Sequence, residues 1–562
     1  MQLVDSWRLF GPNLQTRGPA VLAEVSFDAG EDVARAVDVW RIELGRMAAS
    51  LGLDVSDAAA RVYRGGAVLT FSASIDVLLP ATDVNEWAVV SATSVLAGEG
   101  ELPLEPRRAE LAEALRARTN AALLALEVAA VARGVPFLWD DDAVTLGAGN
   151  RSRTWPFAEL PAVDAVPWVA VGPIPLALVT GTNGKTTSVR LLAHILACAG
   201  HHVGMTTTDG VSLDGQLVES GDYTGPAGAL RVLRSPDVDA VVLETARGGI
   251  LRRGLAVRTA DVALLTNVSD DHLGHYGIDD LAALARVKAV VGSVIPSEGR
   301  VVVNADDAWL MAEVPSFRAP VVLFSLESEG PVVQAHRARG GEAWLLKDGW
   351  LVRASGHEEH QLVLAPDVPI GWGGRAPYNL ANALGAAACA HALGLSDAHI
   401  VAGLTTFTGS VGDNPGRGNL VDKGGIGVLV DFAHNPAGIR SVLALAAGLG
   451  TKGGRLLVVA GYAGDRSDES VRDAARAIAD ARPAFVVLRD LRRYLRGRAP
   501  GEIPAMFRSE LEKLGVAPAA IEVAPSEADA LRLALRASRP GDLVVVLAHL
   551  ESDEVRAVLA EP

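Results

Sequence analysis

Residues 181–187, Gly-Thr-Asn-Gly-Lys-Thr-Thr, place two glycines, a lysine and two hydroxyls side by side. That mixture suits holding a polyphosphate. Glycines let backbone N–H groups approach an anion, and a helix opening at the lysine aims its free N–H groups and positive dipole end the same way. Lys185 would reach the β- and γ-phosphates, and Thr186 or Thr187 would hold Mg²⁺. The general phosphate-loop pattern asks for a further glycine five positions before Gly184, where Val179 stands. A carboxylate and an amide, Glu244 and Asn267, end two later apolar runs. Ser269-Asp270-Asp271-His272 follows the second run, and His272 is the candidate for contact with Mg²⁺ or phosphate. For His275 a satisfied structural histidine is the plainer reading.

The elements that must position these groups read as alternating strands and helices from Leu176 onward. Leu176 to Val179, Val203 to Thr207, Ala240 to Glu244 and Val262 to Asn267 are short apolar runs, and Val189 to Ala199 has helical spacing. Such alternation implies a mostly parallel, doubly wound sheet, whose ligands gather at the carboxyl ends of the strands. Residues 297–370 read as several short strands, with a hairpin turn at Asp348-Gly349 and a surface loop at 356–360. Pro377 opens an alanine-rich helix that puts Asn379 and Asn382 on one face, where they would meet a purine edge or, for Asn379, cap the helix. After a polar glycine loop bearing Arg417, a second α/β unit starts; Asp431 and His434 lie at the end of its first strand. Arg417 would stabilise a transferring phosphoryl group.

The first 115 residues read as a small α+β domain with strands over 20–27 and 66–71 and helices over 32–51 and 84–97. Residues 116–133 read as one helix, Asp140 to Asp142 as a solvated turn, and 148–175 as a connector. A chain of 562 residues fits roughly three to four domains. A formal charge of −16 argues against a nucleic-acid binder. Two cysteines rule out a disulfide framework or a cysteine-based zinc site. There is no signal-like N-terminus and no uncharged apolar run of about 18 residues, so a cytoplasmic protein without a membrane span is expected.

The motifs GTNGKTT (181–187), TTTDG (206–210), LETARGGIL (243–251), NVSDDHLG (267–274), NLANALGAA (379–387), NPGRGN (414–419), DFAHNP (431–436) and GYAGDRSDE (461–469), in this order, resemble the Mur ligase superfamily. Within it, the resemblance is to the Mur-like half of cyanophycin synthetases. It implies a central phosphate-loop domain over 172–411 and a Rossmann-like C-terminal domain over 412–562. Before them would stand the α+β domain of 1–115 and, over 116–171, a remnant of an ATP-grasp module with a linker. It also implies an ATP-dependent, ADP-forming ligase that joins a carboxylate to an amino acid or dipeptide through an acyl phosphate. The nucleotide would lie on Gly181, Thr182, Asn183, Gly184, Lys185, Thr186, Thr187, Asn267, Asn379, Asn382, Arg417, Asp431 and His434. Thr186, Glu244, His272 and a carbamylated Lys288, 16 residues beyond His272, would hold Mg²⁺. Catalysis would rest on Lys185, Glu244, His272, Lys288 and Arg417. Thr208, Asp209, Arg247, Asp465, Arg466, Arg493 and Arg498 would face substrate.

Two departures stand out. The chain passes from Trp155 to the phosphate strand in about 20 residues, too few for an ATP-grasp unit. An acidic cluster that precedes an Arg-Gly-Arg motif in the relatives is replaced here by arginines over 489–498, which points to an anionic substrate or to a solvated helix face. A degenerate nucleotide-binding scaffold serving a separate ATP-grasp partner is the alternative function. Homo-oligomerisation is left open.

Overall fold

The structure, a computed structural model, describes residues 1–271, 273–549 and 552–561. Its centre is an eleven-stranded sheet among the described residues. From one edge the strands are Gln216–Ser220, Gly210–Leu213, Val203–Thr207, Ala240–Glu244, Leu176–Thr180, Val262–Leu265, Arg300–Asn304, Val321–Ser325, Glu342–Lys347, Trp350–Ser355 and Glu358–Leu364. The seven strands from Val203–Thr207 to Glu342–Lys347 are parallel, and antiparallel hairpins close both edges. The Leu176–Thr180 strand is buried along its whole length because both faces are covered. Ala177 and Val179 pack with the helices Lys185–Cys198 and Pro377–Ala392, while Leu176 and Leu178 face the opposite core. The chain winds to one side of this strand through Ala240–Glu244 and then to the other through Val262–Leu265. Its carboxyl end is therefore the point where the winding reverses, which leaves a crevice for a ligand.

The C-terminal sheet runs Asn419–Lys423, Ile426–Asp431, Leu543–Leu547, Leu456–Tyr462, Phe485–Asp490 and Ile521–Ala524, parallel except for its first strand. The N-terminal sheet is antiparallel, in the order Gln2–Leu9, Ala20–Ser26, Gly66–Ser72, Ala59–Tyr63. Its buried face shares one apolar core with the helices Val33–Leu51 and Leu78–Ala97, and also with Leu126, Phe137, Trp139 and Leu146. Residues 116–171 thus pack onto the first sheet instead of standing apart as a linker. Between the strands Arg153–Pro156 and Leu176–Thr180 the backbone forms no strand or α-helix, only the 3₁₀ turns Phe157–Glu159 and Val163–Ala165 and a turn at 167–170.

Several local expectations are corrected. The stretch 116–133 is not one helix: Arg107–Arg118 and Ala121–Ala132 are separate, because Asn120 leaves helical geometry and its side chain accepts from the Leu123 N–H, capping the second. Residues 297–370 include the helices Ala308–Glu313 and Pro331–Arg337 among their strands. The 356–360 segment is no loop beyond Gly356-His357; Glu358 to His360 begin the outermost strand of the central sheet.

Candidate active site

The loop after Leu176–Thr180 needs its glycines. Gly181 and Gly184 hold φ of 155° and 82°. A Cβ at Gly181 would collide with Thr266 Oγ1, and one at Gly184 with Asn382 Oδ1. Asn183 N–H donates to Asn267 Oδ1 at 2.9 Å and Asn267 Nδ2 donates to Asn183 O at 3.0 Å. This reciprocal pair fixes the loop to the end of the Val262–Leu265 strand. Lys185 Nζ donates to Thr182 O at 3.0 Å. Thr186 Oγ1 donates to Glu244 Oε2 at 2.7 Å, and Thr208 Oγ1 donates to Oε1 at 2.9 Å. Glu244 is 2% exposed, so its charge is held among hydroxyls in a nearly closed site.

Two clefts open from this loop. The smaller, about 380 Å³, is lined by 182–187, Glu244, Asn267, Asn379, Asn382, Arg417 and Asp431. The larger, about 1150 Å³, is walled by the N-terminal, central and C-terminal parts of the fold. Thr182, Lys185, Thr208, Phe432 and His434 line both. Lys185 is therefore the cation at the junction.

Lys288 borders the large cleft and is 3% exposed. Burial, and then the neighbouring Lys185, push its ammonium pKa well below the usual lysine range. Asp271 lines the same cleft, with Arg466 at 2.9 Å from Oδ1 and His434 at 3.6 Å from Oδ2. Arg247 lies with its guanidinium 5.8 Å from the centre of the Tyr276 ring. His272 lies outside the described residues. Thr186 and Glu244 are hard oxygen donors in contact, and Mg²⁺ takes one or two carboxylates together with phosphates and waters, so these residues fit that ion. Among the described residues no group of three His, Cys, Asp or Glu side chains forms a ligand cluster of its own.

On the C-terminal side, burial raises Asp431 to about 6 despite Arg417 nearby. Arg417 stacks over Phe432 at 4.7 Å and reaches Asp209 Oδ2 at 3.4 Å. The buried Arg190, missed in the sequence, reaches the same oxygen at 2.9 Å. Asp209 thus bonds two arginines and is not among the residues lining either cleft. Thr187 Oγ1 accepts from Asn414 at 3.2 Å, which ties the phosphate helix to the 414–419 loop.

Other expected site residues are placed differently. Asn379 does not cap its helix; it donates to Ile370 O at 3.0 Å, and Asn382 donates to Asn379 Oδ1 at 3.2 Å. Both still border the small cleft. The 489–498 stretch is not a helix face. Arg489 lies in the strand Phe485–Asp490, is 1% exposed and pairs with Glu527 at 2.6 Å. Arg493 is exposed and lies outside the cleft linings. Arg498 bonds Asp468, Glu502 and two backbone carbonyls, so it props the 464–468 loop. Asp465, Arg466 and Arg496 do line the large cleft, with Arg496 paired to Asp465. Arg8, Phe10 and residues 139–141, from the N-terminal body, also line it. The expected solvated aspartate turn is instead an ion-paired wall, with Asp141 on Arg8 at 2.7 Å and Asp140 on Arg234. No local motif announces these partners, since they are 133 and 94 residues apart.

Comparison with known proteins assigns the family. The model of the Mur ligase middle domain matches residues 179–390, and that of the Mur ligase glutamate ligase domain matches 416–550. A UDP-N-acetylmuramoyl-L-alanyl-D-glutamate–2,6-diaminopimelate ligase of Corynebacterium efficiens is 30% identical over 389 residues, 66% of this chain and 68% of that one. The chain belongs to the Mur ligase family. A cyanophycin synthetase of Nostoc sp. is 40% identical over 388 residues, which cover 69% of this Mur ligase family member and 42% of the synthetase. The chain therefore spans less than half the length of the synthetases it matches. The fold is shared with a Mycobacterium tuberculosis folylpolyglutamate synthase complexed with ADP, at 19% identity, TM-score 0.51, and coverage of 69% of this chain and 91% of that one. Among the described residues no helix is long and apolar enough to cross a membrane.

Proposed function

We propose that this Mur ligase family member joins a carboxylate to an amine with ATP, releasing ADP and phosphate. A carboxylate resists amines at neutral pH because its oxygen is a poor leaving group. Attack of a carboxylate oxygen on the γ-phosphorus breaks the bond to the β-phosphate oxygen and leaves ADP and an acyl phosphate. The amine nitrogen then attacks the carbonyl carbon, loses a proton and expels phosphate. The observation that carries this reading is the junction: Lys185 lines both the nucleotide-sized cleft and the large one. A phosphoryl group there would meet Lys185, with Arg417 close by to spread its charge.

The small cleft would take the nucleotide, with Asn379 and Asn382 toward the base and Asp431 toward the ribose. Thr186 and Glu244, joined by His272 and Lys288, would hold Mg²⁺, which neutralises phosphate oxygens when bound. The neutral amine that burial favours at Lys288 is the form that accepts CO₂, and the surrounding cations Lys185 and Arg247 suit the resulting carbamate. The large cleft would take the carboxylate acceptor and the amine, the latter against Asp465, Arg466 and His434. Closure of the C-terminal body over the junction would keep water from the acyl phosphate. The relatives' synthetase activity as a whole is not part of this reading, because the 157–175 segment leaves no space for a second ATP-using unit.

The test is a screen of carboxylate and amine pairs for ADP release, with mass spectrometry of the product. Amide formation that needs both partners supports the reading. A stable phosphorylated product would make the protein a kinase. Nucleotide binding with no turnover across the panel would favour the scaffold role.

A further inference from the structure

Asp271 and His275 line the large cleft, and His275 opens a tight turn. Tyr276 and Gly277 both take left-handed φ, 55° and 63°, and His275 pairs with Ile278 as a one-rung antiparallel bridge. Two consecutive left-handed residues are the signature of a type I′ turn, and a tyrosine is an unfavourable occupant of the first position. In such a turn the carbonyls of the two central residues point outward and take no part in the turn's own hydrogen bonds, so they need other donors.

Both donors come from one side chain of the N-terminal sheet, more than two hundred residues away in sequence. Arg61, on the Ala59–Tyr63 strand, donates from Nη1 to Gly277 O and from Nη2 to Tyr276 O, each at 2.7 Å. Tyr63, two positions on and so on the same face of the strand, packs its ring against Gly277 so closely that a Cβ there would collide with it. Tyr63 is itself fixed, its hydroxyl donating to Glu24 at 2.6 Å. Trp7 adds an edge contact to the Tyr276 ring at 6.1 Å. From the cleft side Arg247 and Arg252 each lie 5.8 Å from the centre of that ring. From the C-terminal body the Asp465 carbonyl lies 3.3 Å from His275 Nε2, and Arg466 pairs with Asp271. The turn is thus held from all three bodies.

We propose that Arg61 is a positioning residue for the ligase reaction, using its planar fork to hold the Tyr276-Gly277 turn so that Asp271 and His275 meet the C-terminal body when it closes. This gives the N-terminal body a part in assembling the reaction centre besides lining the acceptor cleft. It rests on the ligase reading for its kinetic consequence, while its structural consequence stands apart from activity. A guanidinium spans two carbonyls in a fixed plane; a lysine ammonium reaches them only as a point donor.

The test compares Arg61→Ala, Arg61→Lys and, from the opposite partner, Gly277→Ala. Hydrogen–deuterium exchange of the full chain reads the turn directly, and ADP binding reads the small cleft. In Arg61→Ala, amides of 273–280 should exchange at least about 10-fold faster, with strands of the central sheet unchanged. ADP affinity should stay within about twofold, while kcat for the best carboxylate–amine pair falls about 10- to 100-fold. Arg61→Lys should recover part of both losses, and Gly277→Ala should reproduce them. Unchanged exchange at 273–280 would overturn the proposal even if activity fell. So would loss of ADP affinity and of exchange protection throughout the chain, which would make Arg61 a general stability residue. If the exchange effect is present and no substrate pair is turned over by the wild type, the positioning stands and the ligase reading fails.

Discussion

The two clefts that meet at Lys185 are built on opposite plans. The small one is preset mainly by pairs inside the central body, Asn183 with Asn267, Thr186 with Glu244 and Asn382 with Asn379, and is tied to the C-terminal body by Asn435 on Asn183 and Asn414 on Thr187. The large one is closed by pairs between bodies, Asp271 with Arg466 and Asp140 with Arg234, and by Lys288 beneath them. The difference separates two tasks. Preset pairs keep the phosphate-loop side of the small cleft in shape when the C-terminal body, which supplies Arg417 and Asp431 to its lining, moves. A site assembled from three bodies changes shape when any of them moves, which suits substrates that must be shut away from water before they react.

Replacing the shared cation should break both sides of that comparison at once. Lys185→Ala should lower amide-forming turnover by about 10³-fold or more, checked by ADP release beside an unchanged thermal melt. Glu244→Gln should act on the nucleotide side. It keeps the shape but loses the charge that Thr186 and Thr208 bond, so a turnover loss of about 10²-fold and a raised Mg²⁺ requirement are expected in a magnesium titration.

Asp431 sharpens the comparison through pH. Burial holds its folded pKa near 6, above the unfolded value of about 3.9. The folded protein therefore binds more protons than the unfolded chain between about 4 and 6, and this group's contribution to stability falls as pH rises through that window. On the proposed reading the ionised form would accept ribose hydroxyls, so ADP affinity should rise with pH through about 6. Asp431→Asn should flatten both dependences, as measured by calorimetry and melting from pH 5 to 8. The smallest effect belongs to the far wall. Arg8→Ala removes the bidentate pair with Asp141 and should raise the KM of the acceptor about 3- to 10-fold, with ADP affinity unchanged.

The same division explains what the sequence made legible. The phosphate strand, its glycine turn and its helix are contiguous, and each local preference agrees with the fold, so Gly181 to Thr187, Glu244 and Asn267 could be placed from pattern alone. Val203–Thr207 and Ala240–Glu244 emerge with the bounds their apolar runs suggest. The large cleft was legible only in part, through Thr208, Arg247, Lys288, Asp465 and Arg466 on its central and C-terminal walls. Arg8, Phe10 and Asp140 belong to separate ordinary-looking segments, and only tertiary packing brings them to Lys288. The arginines of 489–498 misled because count stood in for direction: one is buried on Glu527, one props a loop, and Arg496 alone of the run's arginines borders the cleft. Helix limits failed where a side chain outweighed propensity, as at Asn120.

The central claim is that a phosphoryl group crosses from the small cleft to a carboxylate in the large one at Lys185. It is tested most directly with a carboxylate substrate labelled with ¹⁸O in both oxygens. Each amide formed should be matched by one phosphate carrying a single ¹⁸O, and Lys185→Ala should form neither. Amide formation with unlabelled phosphate would contradict it, because the carboxylate oxygen would then never have been bonded to phosphorus.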